Sequence, residues 1–170
     1  MKTMFRALVA ITVLGAAPAF AASIGSSISV TASVTANCTF AATPTTAVAF
    51  GVYNTLAGAP TATGTIVARC TKSTAYTLAL GVGGGTGASY TGRFMTGAVT
   101  ADLLGYNLFT TAGLATVFGD GTGGSATVGG TGAGFDVAFN QTTSVFGQIP
   151  ALQNVSADTY SDTVAVTLTY

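Results

Sequence analysis

Histidine, glutamate and tryptophan are absent from the 170 residues, and only five Lys or Arg and five Asp are present. Without His or Glu, the usual general acid–base and nucleophile-activating sets cannot be assembled, which argues against a secreted enzyme. No cofactor is implied. The scarcity of cations argues against nucleic acid as a partner, because no basic patch exists to neutralise phosphates. The only long apolar run is at the N-terminus. Lys2 and Arg6 precede the apolar stretch Ala7–Ala17, and Ala19-Phe20-Ala21 has the small-residue spacing of a cleavage site. Residues 1–21 therefore read as a secretory signal peptide, with an apolar run shorter than the roughly 20 residues needed to span a bilayer. Three cations (Arg69, Lys72, Arg93) and five aspartates then remain, a net charge of 3 − 5 = −2.

Cysteine is nearly absent too, with Cys38 and Cys70 the only two. In an exported chain an even pair most simply forms a disulfide. The rival reading, a two-ligand metal site, has no His to complete it.

What the chain does have is alternation. Behind the signal, Ile24, Ile28, Val30, Ala32 and Val34 occupy even positions, with Gly, Ser and Thr between them. That period of two is the signature of a strand with one buried face. The same pattern recurs at Val48, Phe50 and Val52, at Tyr76, Leu78, Leu80 and Val82, and at Val164, Val166, Leu168 and Tyr170. Further strands are expected over 65–70, 103–110, 115–118, 135–139 and 144–149. No 3.6-residue apolar period persists over three turns. Short strands between Gly, Asn and Pro turns predict an all-β sandwich or barrel.

The Gly-rich stretches 83–87 and 119–134 read as loops, because Gly and Thr without aliphatics bury little area. The spelling Gly121-Thr-Gly-Gly-Ser-Ala126 resembles a phosphate-binding pattern but lacks a surrounding βαβ unit. Asp120 is expected to organise its turn rather than bind calcium, and Asp158 and Asp162 to serve turns and strand edges rather than catalysis.

The two termini complement each other. The sequence reaches Tyr170 on an alternating strand, whose edge would be left without a partner. The N-terminal alternating segment can pair with such an edge on another copy, giving main-chain hydrogen bonds and pocket-filling side chains. Ile24, Ile28, Val30 and Ala32 are the expected donor residues. Val164, Val166 and Leu168, with Phe50, are expected to line the acceptor groove. Residues 22–33 form the donor segment in this reading and residues 34–170 the sandwich, with Val34–Cys38 anchoring the first strand.

Several segments, in order and at matching spacing, resemble the spore coat U domain family, which includes the archaic (Csu-type) chaperone–usher pilus subunits. They include Val30-Thr-Ala-Ser-Val-Thr-Ala-Asn-Cys38, Phe50-Gly-Val-Tyr53, Tyr106-Asn-Leu-Phe109, Val145-Phe-Gly-Gln-Ile-Pro150 and the run Asp158–Tyr170. The resemblance implies an incomplete immunoglobulin-like β-sandwich lacking its last strand and completed by donor-strand complementation. It implies as partners copies of itself or sister pilin subunits, a periplasmic chaperone and an outer-membrane usher. The place of action would be the cell surface, in a pilus serving adhesion and biofilm formation. A small outer-membrane β-barrel and a spore or cell-surface coat protein are the alternatives.

Overall fold

The computed structural model describes residues 20–170. Of the expected signal peptide, residues 1–19 lie outside the described residues. Residues up to 33 and residues 34–170 are separate units. In the first, residues 20–33 form neither helix nor strand, and every side chain is exposed.

Eleven strands build the second unit: β1 (Cys38–Thr46), β2 (Thr61–Cys70), β3 (Ala75–Leu80), β4 (Arg93–Gly97), β5 (Leu103–Phe109), β6 (Val117–Phe118), β7 (Ser125–Ala126), β8 (Val128–Thr131), β9 (Gln141–Gln148), β10 (Tyr160–Ser161) and β11 (Val166–Thr169). The larger sheet runs β1-β2-β9-β5-β4-β10, with β6 and β7 added beside β5, and the smaller runs β11-β3-β8. All pairings are antiparallel except β6 with β7. The expected all-β fold is thus an open sandwich, not the closed barrel weighed as an alternative, since both sheets end in edge strands.

Alternation is read directly into burial. Ile66, Ala68 and Cys70 of β2, Tyr76, Leu78 and Leu80 of β3, and Leu104, Tyr106 and Leu108 of β5 are buried, and their neighbours are not. Phe118, Val145 and Ile149 complete the core. Cys38 lies opposite Cys70 in the β1–β2 register, and the two form the expected disulfide.

One fully buried residue is charged. Arg93 is 0% exposed, and none of its hydrogen bonds goes to a carboxylate. Its guanidinium donates to Gly81 O (2.8 and 3.1 Å), Phe118 O (2.7 Å), Asn107 Oδ1 (2.7 Å) and Tyr90 O (3.4 Å). Oriented carbonyl dipoles supply its direct partners, and five bonds satisfy its donors. Burial still pulls its pKa down from the ordinary value.

Four expectations need correcting. Residues 34–37 form no ladder, because the neighbouring chain turns away after Cys70. Asn37 is held instead by Thr71, with Asn37 N donating to Thr71 Oγ1 (3.1 Å) and Thr71 N to Asn37 O (2.9 Å). Residues 47–53 pair with no strand, and their alternation breaks: Val48, Phe50 and Tyr53 are half-buried against the core, whereas Val52, expected on the same face, is 95% exposed. Residues 135–139 are no strand either. Asp136 accepts from Ala138 N at 2.9 Å and caps a 3-10 turn at Val137–Phe139. The Gly-rich stretch 119–134, expected as loop, contains β7 and β8. There Gly129 and Gly130 pair with β3, and the Tyr76 ring occupies the space that a side chain at Gly130 would need. The backbone supplies the ladder and the tyrosine supplies the buried area.

Candidate functional site: an open groove beside β11

β11 pairs with β3 on one side only, in the register Val166 to Leu80, Thr167 to Ala79, Leu168 to Leu78 and Thr169 to Thr77. The ladder extends to a bond from Gly81 N to Ala165 O (2.9 Å). Ala165, Thr167 and Thr169 therefore turn their backbone groups toward β3, whereas those of Val164, Val166 and Leu168 point to the opposite edge. No strand occupies that edge among the described residues.

The free edge opens on a groove of about 310 Å³. Val164 and Val166 form one wall, Val48 and Phe50 the other, and Ile66, Leu108 and Val145 part of the floor. Phe50 meets the Tyr106 ring edge to face, with centroids 6.4 Å apart and planes at 64°. Aromatic pairs favour this arrangement because a positive ring edge meets a negative face.

The second wall is a strap. It is pinned at one end by Thr46 Oγ1, which lies 3.0 Å from Thr65 Oγ1 and accepts from Thr65 N at 2.8 Å. At the other end the Tyr53 hydroxyl donates to Pro150 O and accepts from Gln153 N, both at 3.0 Å. Between these pins, residues 47–52 make no hydrogen bond among the described residues. The strap rests on the larger sheet because two glycines let it approach. A Cβ at Gly64 would lie 2.8 Å from Val48 Cγ2, and one at Gly147 would lie 2.5 Å from Val48 Cγ1 and 2.7 Å from Phe50 Cζ. Beyond the strap a second hollow of about 870 Å³ reaches to residues 155–160.

At the mouth, the Asp162 carboxylate accepts from Tyr106 Oη (2.5 Å) and from Gly84 N (2.7 Å). Burial first, and this acceptor second, push the Tyr106 pKa well above the ordinary phenol range. No group of three or more metal-ligating side chains occurs among the described residues.

Of the expected acceptor residues, Val164, Val166 and Phe50 are brought together in the groove. Leu168 packs on the core further along β11 and does not line it. The expected donor residues lie in the other unit, with Ile24 at 99%, Ile28 at 90% and Val30 at 90% exposure, and Ala32 exposed as well. The floor residues Ile66, Tyr106, Leu108 and Val145 and the mouth residue Asp162 are not among the expected acceptor residues. Alternation in β5 could have nominated Tyr106 and Leu108. Asp162 carried no signal beyond its place before the last strand.

Among solved structures the fold is similar to a chaperone–tip adhesion subunit pre-assembly complex from the archaic chaperone–usher Csu pili of Acinetobacter baumannii. The TM-score is 0.51 at 20% identity, over 81% of this chain. The chain spans 40% of the length of the chain it matches there. Comparison with curated proteins finds no match. The open sandwich, with its alternating N-terminal segment and its incomplete edge, agrees with the match of residues 24–167 to the Spore Coat Protein U domain, and the chain belongs to that family.

Proposed function

We propose that this chain is a structural, non-catalytic subunit of a surface pilus. In this reading it is exported through the periplasm, held there by a chaperone, and delivered by an outer-membrane usher to a fibre that supports adhesion and biofilm formation. Residues 24–32 of one copy, or of a sister subunit, add a strand to β11 of the next. The observation that carries the reading is the free edge of β11 over an apolar groove. The exposed aliphatics Ile24, Ile28 and Val30 supply complementary chemistry. Burying each of them contributes roughly 1.5–3 kcal/mol, and the added backbone satisfies the outward groups of Val164, Val166 and Leu168. The structural neighbour, a chaperone–tip adhesion subunit pre-assembly complex, is consistent with such a groove being filled by another chain.

Deletion of residues 24–32 tests this. The expected product is exported and folded, binds its chaperone, and gives no fibres and no SDS-resistant ladder. Fibres formed by that deletion would sink the proposal.

A further inference from the structure

The unit of residues 34–170 has chemically unlike ends. At one end Cys38 pairs with Cys70, Ala68 with Gln141 and Thr169 with Thr77, and Tyr170 Oη lies 3.2 Å from Asn37 Oδ1. The chain enters the sandwich here, from residues 34–37. Arg69 and Lys72 sit at this end. Lys72 is exposed and makes no hydrogen bond among the described residues, and Arg69 donates to Asn140 Oδ1 at 2.6 Å. Asp136 is the one acid here, so the end carries 2 − 1 = +1.

At the opposite end β10 pairs with the tail of β4, where Gly97 N donates to Asp102 O. This end carries Asp102, Asp158 and Asp162 and no Lys or Arg. The remaining cation among the described residues, Arg93, is buried inside. Asp158 Oδ2 accepts from Val99 N (2.9 Å), Thr100 N (2.8 Å) and Thr100 Oγ1 (2.9 Å), and Asp102 Oδ2 accepts from Ser156 N (2.9 Å). These bonds favour the ionised forms and hold both carboxyls below their usual range.

β11 runs from the acidic end toward the cationic end. A strand added to its free edge can take either direction. If it is antiparallel, its C-terminal side emerges at the acidic end. The body of the incoming copy follows, led by its own point of entry, which Arg69 and Lys72 flank. Opposite charges then meet. If it is parallel, the incoming body emerges at the cationic end, and like charges meet.

We infer that the encounter of two copies is steered by attraction between the Arg69–Lys72 end of one copy and the Asp102–Asp158 end of the next. This rests on the strand-addition reading above. Residues 33–37, between the donor positions and Cys38, span at most about 18 Å when extended. That tether keeps the two ends within about two Debye lengths at physiological salt. Charges at such a rim act mainly on association rate and its salt dependence.

The test uses the mature full chain and the time course of SDS-resistant ladders at low and high ionic strength. Lys72→Glu is expected to slow assembly about three- to tenfold at low salt and to have little effect at high salt. Ala157→Lys, at an exposed position beside Asp158, is expected to slow the otherwise unaltered chain and to restore the rate of Lys72→Glu. Wild-type rates for Lys72→Glu at low salt, or a double variant no faster than Lys72→Glu alone, would overturn the inference. The deletion of 24–32 separates the two claims. If it blocks ladders while Lys72→Glu assembles normally, only the steering fails. If it still assembles, the strand-addition reading fails with it.

Discussion

Tyr106 Oη donates to Asp162 Oδ2 across 2.5 Å, joining the floor of the groove to the segment that leads into β11. Asp162 in turn accepts from Gly84 N, so one carboxylate ties β5, the loop after β3 and the approach to β11 together. Tyr106→Phe removes one bond and leaves the others, at an expected cost of about 1–2 kcal/mol. A shift of the urea midpoint at unchanged slope measures it. The same bond has an alkaline signature. Burial and the Asp162 bond raise the folded pKa of Tyr106 above that of the unfolded chain. Between those values the unfolded state has lost the proton and the native state keeps it, so stability falls as pH rises above about 10. Tyr76 and Tyr90 are shifted in the same direction. Tyr106→Phe is therefore expected to shallow the alkaline loss without abolishing it, and an undiminished loss would contradict the assignment.

Arg93 is held by backbone carbonyls from two sides of the sandwich, Gly81 O and Phe118 O. Arg93→Met fills much of the volume but takes the guanidinium donors from those carbonyls, while Asn107 Oδ1 keeps its bond from Leu108 N. The expected loss is about 3 kcal/mol or more, because each stranded buried acceptor costs on the order of 1–3 kcal/mol. Arg93→Lys recovers only part of this, since one ammonium cannot reproduce the planar fork. Equal stability of the Lys variant and the parent, by chemical denaturation, would show that a point charge suffices.

How far these features were legible in the sequence depends on whether burial and backbone pairing coincide. In β2, β3 and β5 they do, and alternation located all three strands. At residues 47–53 they part: Val48, Phe50 and Tyr53 turn inward, but the backbone has no neighbour, so an apparent strand is a strap. At Val128–Thr131 they part the other way. Glycine pairs its backbone while Tyr76 brings the apolar area, so a true strand has the sequence of a loop. Arg93 had no readable sign, because all its acceptors but Asn107 Oδ1 are main-chain carbonyls, which every residue carries. Cys38 and Cys70 were legible, since an exported pair has few other fates.

Gly147 provides the seat of the strap, and nothing in its own backbone demands glycine, for its φ is not positive. A methyl there meets Val48 and Phe50 at 2.5 and 2.7 Å, inside any real contact. Gly147→Ala is expected to lift the strap, widen the groove and cost about 1–3 kcal/mol, as overpacking does. The Phe50–Tyr106 edge-to-face contact should loosen with it. Aromatic NMR shifts report that contact directly, and unchanged shifts would place the accommodation elsewhere.

The acid limb follows from Asp158, whose carboxyl is held down to about 2 by bonds from the Thr100 and Val99 amides. Its folded pKa lies below the unfolded value of about 3.9. Its stabilisation is therefore present above that value and is lost as pH falls toward 2. Asp102 and Asp120 are shifted in the same direction by Ser156 and Thr122. Asp158→Asn should flatten the fall in melting temperature between about pH 4 and pH 2 without erasing it. A limb as steep as in the parent would assign the acid sensitivity to the other two.

The disulfide closes a loop between residues 32 apart in the chain, at the end where the N-terminal segment enters the sandwich. In the chain-entropy picture a bridge of this span stabilises by about 3–4 kcal/mol, through the unfolded state. Reduction, or the double variant Cys38→Ser and Cys70→Ser, should lower stability by that amount. The β1–β2 ladder survives, because Thr39 with Arg69 and Phe40 with Ala68 pair independently of sulfur. The effect on the groove should be small, since its floor at Ile66 and Val145 lies in β2 and β9, away from the bridge. Strand addition by a reduced but folded chain is therefore expected to keep its affinity while its melting temperature falls. Loss of affinity in parallel with stability would instead couple the bridge to the shape of the groove.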